Sequence, residues 1–179
     1  MSDVEAPNTS DGETDTAAGS DADDPLVEVV HAVGHEHVTA EHASTVEITT
    51  DDWLTPAGDC IVGTEADRTP RDFGAAFREA CRDASATITA TIAVGGADGS
   101  VDGDGADAEH TAEIVGRGDP DLTLLDDRSM VGRTSAYTDD ERTILVDGDG
   151  AAADLDRDLV AALADGAPMT LRLEVDPAE

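Results

Sequence analysis

The sequence predicts an α+β fold in which two related strand-strand-strand-helix-strand units form a small closed or nearly closed β-barrel with two helices. Three observations predict this fold. Short apolar segments alternate with period two, two segments have the apolar stripe of a helix, and the same order of elements occurs twice. A closed arrangement is expected because it removes the sheet edges that an open sheet would expose.

Nine segments have the composition or the alternation of strands, and they fall into two groups along the chain. The first group comprises Leu26–Val33, Val38–Thr49, Cys60–Gly63 and Thr87–Val94. The second group comprises His110–Val115, Leu122–Leu125, Met130–Tyr137, Thr143–Val146 and Met169–Val175. Each group surrounds one helical segment, which accounts for the predicted order of elements in each half.

Two segments carry helix signals. The first has Thr69 as a cap, Pro70 at the first helical position and Asp72 where a capping box places an acid. Its apolar stripe consists of Phe73, Ala76, Phe77, Ala80 and Cys81. The second helix is predicted to begin with Asp154 as its cap and to end at Gly166. Its stripe consists of Leu155, Leu159, Ala162 and Leu163.

Similarity between the two groups indicates an internal duplication. Val33-Gly34 matches Val115-Gly116, and Asp72-Phe73 matches Asp154-Leu155, both at a spacing of 82 residues. We therefore expect one duplicated domain over residues 25–179. Its halves span about 25–94 and 110–176 and are joined by an acidic Gly/Asp loop at 95–109. Residues 1–24 are polar and acidic, and they are expected to form a disordered tail.

The charge of the chain is extreme. It has 42 acidic residues and 10 basic ones, all of them arginine, which gives a formal net charge of −32. Such a chain repels itself in dilute buffer, and molar salt screens that repulsion. Abundant Ala and Thr, few aromatic residues and the absence of lysine favour a salt-accumulating halophile as the source. An acidic disordered protein is the alternative, which the apolar periodicity of the middle of the chain disfavours.

The composition also bears on partners and location. Binding of nucleic acid relies on lysine and arginine, so direct contact with nucleic acid is disfavoured. No apolar run reaches the roughly 18 residues of a membrane helix, and the N-terminus has no signal-peptide pattern. Cys60 and Cys81 form neither a disulfide framework nor a zinc motif. We expect a cytoplasmic protein without a membrane partner, whose partner is a small molecule or another protein.

Four of the five histidines lie between Val29 and His42, in the segment VVHAVGHEHVTAEH. A tight turn at His35 and Glu36 would pair the two flanking strands and make His31 and His42 diagonal neighbours, roughly 7–8 Å apart. Two imidazoles at that distance could share a metal ion, with Asp59 or Cys60 as a third ligand. Alternatively, His31 and His42 are neutral, hydrogen-bonded core residues.

A second candidate metal site lies in the acidic loop, in the segment DGSVDGDGADAE. Asp98, Asp102, Asp104 and Glu109 match the ligand positions of a calcium loop, and Gly103 occupies the sixth position. The segment before it is a predicted strand, whereas calcium loops of this type follow a helix. A chain rich in Asp and Gly also matches such a pattern by chance, so a solvated linker is the alternative.

The segment GDPDLTLLDDRSMV brings Asp121 and Arg128 close to a predicted turn. The sequence contains no nucleophile elbow, no Walker phosphate loop and no dinucleotide fingerprint. Sequence motifs therefore identify no reaction, and the cofactor stays unknown.

Four segments resemble those of a known family: GHEHVTAEHASTVEIT, DDWLTPAGDCIVGTEAD, GDPDLTLLDDRSMVGRTSAY and AAADLDRDLV. They are similar to the signature segments of archaeal domain of unknown function family 371, and the resemblance covers about Val27 to Val175. The family motif Gly-His-x-Asn-Val, followed by a histidine, matches at Gly34, His35, Val38 and His42 and departs at His37. The resemblance implies an archaeal member of an uncharacterised family and one intact domain. The stretch PAGDCIVG also resembles the Gly-Asp turn of duplicated cradle-loop barrels.

Together these patterns favour a non-catalytic binding or adaptor domain. The candidate binding residues are His35, Glu36, His42, Asp59, Asp121 and Arg128. The alternative is a small-molecule or metal-dependent enzyme with a site around His35, His42 and Asp59. A pocket that joins the turns at His35 and Asp59 with the loop at Asp121 would favour the enzyme, and a filled interior with these residues scattered would favour the adaptor.

Overall fold

A computed structural model describes residues 26–95 and 108–177 of the chain. This part forms eight strands and two α-helices, and the strands make two four-stranded sheets. The prediction of a mixed α+β fold is confirmed. The predicted acidic tail at 1–24 and residues 96–107 of the predicted loop lie outside the described residues.

The elements follow the same order in each half of the chain. The first half contains β1 Leu26–Val33, β2 Thr45–Thr49, β3 Ile61–Gly63, α1 Ala75–Ala80 and β4 Thr87–Val94. The second half contains β5 His110–Arg117, β6 Ser129–Arg133, β7 Thr143–Leu145, α2 Arg157–Ala164 and β8 Pro168–Asp176. The predicted strand Leu122–Leu125 is not formed, and of the predicted strand Val38–Thr49 only the last five residues are.

Each sheet combines strands from both halves. The first sheet has the order β1-β8-β4-β5 and is antiparallel throughout. The second sheet has the order β3-β2-β6-β7, in which β2 and β6 are antiparallel and each outer strand runs parallel to its neighbour. The first and last strands of each half thus share one sheet, and the two middle strands of each half share the other.

The ladders repeat their irregularities between the halves. The pairing of β2 with β3 shifts register between Glu47 and Ile48, and the pairing of β6 with β7 shifts between Val131 and Gly132. Isolated bridges Val33–Thr64 and Arg117–Val146 link the two sheets at matching places. The hydrogen-bonded ladders of the described residues form two separate sheets, and no closed barrel is found among them.

The predicted hairpin between β1 and β2 is wrong. β1 pairs with β8, so that His31 lies opposite Thr170. Residues 34–44 form no strand, and Ala40 adopts a left-handed backbone conformation with φ 51°. The inward face of β1 carries Val30 and Ala32, whereas His31 is exposed. Valines stand at both parities of β1, so alternation alone could not choose its buried face.

The predicted caps belong to short 3-10 turns, and the α-helices begin after these turns. Thr69 precedes the first turn, whereas Asp154 is the last residue of the second turn, so its predicted place as the cap of the second helix is wrong. In the first half the turn is Pro70–Asp72, and the carboxylate of Asp72 accepts the Thr69 N–H at 2.9 Å. In the second half the turn is Ala152–Asp154, and the carboxylate of Asp154 accepts the Ala151 N–H at 2.9 Å. α2 itself is capped by Asp156. Its predicted end at Gly166 agrees with that residue's φ of +86°.

The core is filled. Val46, Ile48, Ile92, Met130 and Leu171 meet between the sheets, and the space left among the side chains there is only 10 Å³. From the helices come two further sets of buried residues, namely Phe73, Phe77 and Cys81, and Leu155, Leu159 and Leu163. An interior packed this closely holds no ligand, so a binding site has to lie on the surface.

Two glycines allow the strands to contact the helix ends. A Cβ added to Gly34 would lie 1.9 Å from the carbonyl oxygen of Leu163 in α2. A Cβ added to Gly118 would lie 2.2 Å from the carbonyl oxygen of Cys81, which caps the end of α1. The residues after β1 and β5 therefore each pack on the helix of the other half, at distances that only glycine permits.

Candidate functional site

A cleft of 540 Å³ lies against one face of the second sheet. Its floor contains Glu47 and Thr49 of β2 and Ser129 of β6. One wall is largely apolar and consists of Trp53, Leu54, Thr55, Gly58 and Ile61. The other is charged and consists of Asp126, Arg128, Asp140 and Arg142, with Asp51 completing the lining. The opposite face of the same sheet carries Val46, Ile48 and Met130 into the core.

The apolar wall is held by its own turn. The N–H of Gly58 donates to the carbonyl oxygen of Thr55 at 2.9 Å, and Pro56 lies within this turn, where its fixed φ is favourable. Leu54 is buried and anchors the segment in the core. The adjacent Trp53 is 56% exposed, although a tryptophan gains much from burial. The only tryptophan of the chain is thus presented to solvent beside the cleft.

Arg128 of the charged wall is bonded to Asp51, which also lines the cleft. Its Nη2 and Nε both donate to Oδ2 of Asp51, at 2.6 and 3.0 Å. The hydrogen bonds that Arg128 donates to Asp51 raise the pKa of Arg128 further, so the guanidinium keeps its charge. A guanidinium held through two N–H groups by one carboxylate has a fixed orientation.

A second network of charged side chains includes Asp140 and Arg142 of the charged wall. Glu47, only 9% exposed, accepts a hydrogen bond from Nη1 of Arg142 at 3.1 Å. Arg142 Nε and Arg133 Nη2 both donate to Oδ2 of Asp140, at 3.3 and 2.6 Å. Burial alone would raise the pKa of Asp140, but hydrogen bonds from Thr143 and Arg133 outweigh it and hold that pKa below its usual range. Both carboxylates are therefore engaged, and the network fixes Arg142 at the cleft.

The cysteines do not supply a nucleophile. The thiol of Cys60 donates to Oε1 of Glu47 at 3.3 Å. Burial, reinforced by the charge of Glu47, raises the pKa of Cys60 to about 11. Burial also raises the pKa of Cys81 to about 12. Both side chains are neutral thiols near neutral pH, whereas cysteine chemistry requires the thiolate.

The structure separates the binding residues predicted from the sequence. Arg128 lines the cleft, and Asp59 follows Gly58, with its carbonyl oxygen accepting the N–H groups of Glu41 and His42. His35 and Glu36 lie in the turn after Gly34, whose N–H donates to the carbonyl oxygen of Ala167 beyond α2. Asp121 lies in the loop after β5, where the N–H of Asp119 donates to the carbonyl oxygen of Cys81 at the end of α1. Only Arg128 of these candidates is a lining residue of the cleft.

The pair His31 and His42 loses the geometry that suggested a shared metal ion, because the hairpin that would join them is not formed. His31 is exposed, and its Nδ1 lies 3.3 Å from a carboxylate oxygen of Asp67. Among residues 26–95 and 108–177, no group of three or more His, Cys, Asp and Glu side chains is placed to hold a metal ion. Of the calcium-loop candidate, Asp98, Asp102 and Asp104 lie outside the described residues, and Glu109 is exposed.

His42 stabilises the turn before β2, and its counterpart Asp126 stabilises the turn before β6 in the same way. Nδ1 of His42 accepts the N–H groups of Ser44 and Thr45 just before β2, at 3.3 and 3.1 Å. A carboxylate oxygen of Asp126 accepts the N–H groups of Arg128 and Ser129 just before β6, at 2.9 and 2.8 Å. A ring nitrogen that accepts these bonds carries no proton, so the proton of neutral His42 is on Nε2. His42 is a half-buried turn residue, and its predicted place in the core is wrong.

This correspondence predicts how His42 tolerates substitution. His42→Asp should keep most of the stability, because aspartate makes the same bonds at position 126. His42→Ala should lower the free energy of unfolding by about 1 kcal/mol, because two turn N–H groups lose their acceptor. Denaturant unfolding in the same salt measures both, with Glu41→Ala, an exposed neighbour, as control. Equal losses for His42→Asp and His42→Ala would contradict the assignment.

Comparison with known proteins places these features in a family. The family described as domain of unknown function DUF371 matches residues 30–176, which include every residue of the cleft. The chain belongs to the DUF371 family. An uncharacterised protein of the archaeon Methanocaldococcus jannaschii is 33% identical over 147 residues, which cover 82% of this chain and 98% of that protein. In the described part of this DUF371 member, no helix has both the length and the apolar character needed to cross a membrane.

Sequence patterns missed most of the cleft of this DUF371 domain. Glu47 and Arg142 are 95 residues apart in the sequence. They meet because β2 pairs with β6, and β6 pairs in turn with β7, which Arg142 immediately precedes. Trp53 offered one usable signal, since a lone tryptophan between acidic residues and a Thr-Pro turn indicates an exposed aromatic ring. No comparable signal pointed to Asp140 or Arg142.

Proposed function

We propose that this chain is a non-catalytic binding domain and that the cleft on the second sheet is its ligand site. One observation carries the proposal: the cleft places an exposed tryptophan opposite two arginines that carboxylates hold in place. Binding sites for small molecules combine an apolar or aromatic wall with a few fixed polar groups. An adaptor function toward another protein would use the same surface.

The chemistry of the lining favours binding over catalysis. Ser129 and Thr49 supply hydroxyl groups, but none of the described lining residues is a histidine that could act as their base. Cys60 is adjacent to the floor as a protonated thiol with a pKa of about 11. The carboxylates of Glu47, Asp51 and Asp140 are bonded to arginines, and the hydrogen bonds to Asp140 hold its pKa below its usual range, so these groups are engaged with protein partners.

The alternative is a small-molecule or metal-dependent enzyme around His35, His42 and Asp59. One contact favours it, since the backbone N–H of His42 donates to the carbonyl oxygen of Asp59 at 3.3 Å. Against it, Nδ1 of His42 already accepts turn N–H groups, and Nδ1 of His35 accepts the N–H of His37 at 3.0 Å. These rings serve their local turns, which supports the binding domain.

A ligand screen with a turnover assay tests the proposal. The full chain is mixed with a library of anionic, cationic and neutral metabolites, and the emission of Trp53 reports binding because it is the only tryptophan. We expect saturable emission changes for at least one compound and no product by NMR. Product formation that His42→Ala abolishes would establish the enzyme instead, and an emission of Trp53 unaffected by every compound would contradict the cleft as the site.

We infer in addition that the chain comes from the cytoplasm of a haloarchaeon. The net charge of −32 and the use of arginine as the only basic residue support this inference. The archaeal relative agrees with an archaeal source and carries no information on salt.

We also infer that the domain arose by duplication and that its two sheets approximate a barrel. Matching register shifts, matching bridges at Val33 and Arg117, and left-handed residues at Ala40 and Leu124 support a common origin of the halves. The bridges connect the sheets at both corners, which supports near closure.

Separate expression of the second half tests the duplication, since a half that derives from an ancestral dimer should retain some capacity to associate with itself.

A further inference from the structure

We propose that the cleft takes a small organic anion, namely a carboxylate or phosphate monoester attached to a planar apolar body. The proposal rests on the binding function inferred above and names the class of ligand. It is argued from the unused hydrogen-bonding capacity of the lining, from the shape of the two walls, and from the corresponding place in the second half of the chain.

The unused polar capacity of the cleft consists mainly of donors. Asp51 and Glu47 each use both oxygens, and Asp140 likewise, in bonds to described residues. By contrast, Nη1 of Arg128 and Nη2 of Arg142 donate to no residue within 26–95 and 108–177. An arginine that is fixed through some of its N–H groups can offer the others to a ligand without further loss of conformational freedom. Free donors call for a ligand rich in acceptors.

The apolar wall favours a ligand with a flat apolar body. Trp53 is the largest side chain of this wall, and Leu54 and Ile61 continue it toward the floor. The indole face can stack on a planar ring in an offset arrangement. A cleft of 540 Å³ is of the size that accommodates a small organic molecule. A ligand with a ring at one end and an anionic group at the other would satisfy both walls together.

The second half of the chain fills the corresponding place with its own side chains. Tyr137 follows the last residue of β6 by four positions, as Trp53 follows the last residue of β2. Arg133, the counterpart of Thr49, places its guanidinium carbon 4.7 Å from the centroid of the Tyr137 ring, and its side chain is only 12% exposed. The small side chain of Thr49 leaves the corresponding space beside Trp53 open, and both residues line the cleft.

The charge of the lining sets the conditions for binding. Asp126 joins the three other carboxylates of the lining, against the two arginines, so the cleft repels anions at long range in dilute buffer. Molar salt screens that repulsion, whereas bonds between guanidinium and an anion at contact distance are screened less. An organic cation, in turn, would find Glu47, Asp51 and Asp140 already bonded to arginine side chains, and one oxygen of Asp126 already bonded to two backbone N–H groups.

Four probes with a common phenyl body test the class of ligand. Phenylacetate and phenyl phosphate are anions, phenylacetamide is neutral and phenethylamine is a cation. Each probe is titrated into the full chain in the same buffer, which contains molar KCl, while the fluorescence emission of Trp53 is recorded. We expect saturation by at least one anion with a Kd on the order of 1 mM, which is typical of a ligand of this size. The amide and the amine should bind at least about tenfold more weakly. The comparison of the two anions identifies which anionic group is preferred.

Arg128→Gln should weaken binding of the preferred anion by about tenfold or more, since a charged donor is lost. Arg71→Gln is the matched control. Arg71 is 57% exposed against 60% for Arg128, and it also pairs with an aspartate, Asp127, but it does not line the cleft. If Arg128→Gln fails to fold, the ranking of the four probes by their affinity for the unsubstituted chain still tests the proposal.

Three results would overturn the proposal: equal or tighter binding of phenethylamine, no effect of Arg128→Gln, or no saturable signal from any probe up to about 20 mM. If the ligand screen finds a neutral or cationic compound that changes the emission of Trp53, the binding function stands and the anionic class is wrong. If neither the screen nor the probes change that emission, both inferences fail.

Discussion

Gly34→Ala is expected to unfold the domain, or to lower its free energy of unfolding by at least about 3 kcal/mol. The added Cβ would lie 1.9 Å from the carbonyl oxygen of Leu163 and 2.6 Å from its carbonyl carbon. These are backbone atoms of α2, which no rotamer change can move. Gly34 cannot withdraw either, because its N–H donates to the carbonyl oxygen of Ala167 at 2.8 Å. Denaturant unfolding at constant salt measures the loss.

Two further glycines calibrate this experiment. Gly118→Ala should be similarly damaging, since its Cβ would lie 2.2 Å from the carbonyl oxygen of Cys81. Gly150→Ala is the control, because its Cβ would meet nothing closer than 3.7 Å. It should change stability by less than about 1 kcal/mol, since alanine also restricts the unfolded chain. If Gly34→Ala were as stable as Gly150→Ala, the close contact between Gly34 and α2 would not exist.

Removal of salt is expected to unfold the whole domain. The Debye length grows from about 3 Å at 1 M to about 10 Å at 0.1 M salt, so each carboxylate then acts on many others. Counter-charges cannot compensate, because the chain has only ten basic residues, and seven of these arginines already pair with acids within residues 26–95 and 108–177. We expect the far-UV circular dichroism spectrum to lose its strand signal between about 3 M and 0.1 M KCl and to recover when salt is restored.

A neutral solute separates screening from other effects of concentrated salt. Sucrose at equal osmolality strengthens burial but does not screen charge, so it should fail to restore the spectrum in 0.1 M KCl if repulsion is the cause. An unchanged spectrum and an unchanged melting temperature in low salt would refute the haloarchaeal inference, whatever the ligand of the cleft.

β4, which alternates, and β1, which is rich in valine, could be predicted from the sequence, whereas loops with the alternation of a strand could not be told from strands. The bounds of β1 and β4 agree with the prediction residue by residue. In the segments that were wrongly predicted as strands, Val38, Ala40, Leu122 and Leu124 are buried as the pattern requires. Ala40 and Leu124 are nevertheless left-handed, with φ of 51° and 54°. Periodicity reports which side chains are buried, and a hydrogen-bonded ladder requires in addition a backbone that the pattern does not reveal.

The site was less predictable than the fold. Histidines attracted attention because they are rare in this chain, yet His42 makes the same turn bonds that Asp126 makes in the second half. Arg128 was identified because it stands beside a turn, but its partner Asp51 lies 77 residues away. Contacts of this kind depend on strand order, which short-range patterns do not encode. The predicted enzyme site around His35, His42 and Asp59 stays a prediction, and none of these three residues lines the cleft.

The strand order of the first sheet has a consequence for the way the domain is made. β8 lies between β1 and β4 and pairs with both, although it is the last of the eight strands to be synthesised. While the ribosome elongates the chain from its N-terminus, β1 has no neighbour in its sheet, and β4 has only β5. The pairing of β1 with β8 also closes a loop of more than a hundred residues, which slows folding. The nascent chain therefore completes this sheet only after β8 has emerged, and until then the edges of β1 and β4 that later pair with β8 stay open.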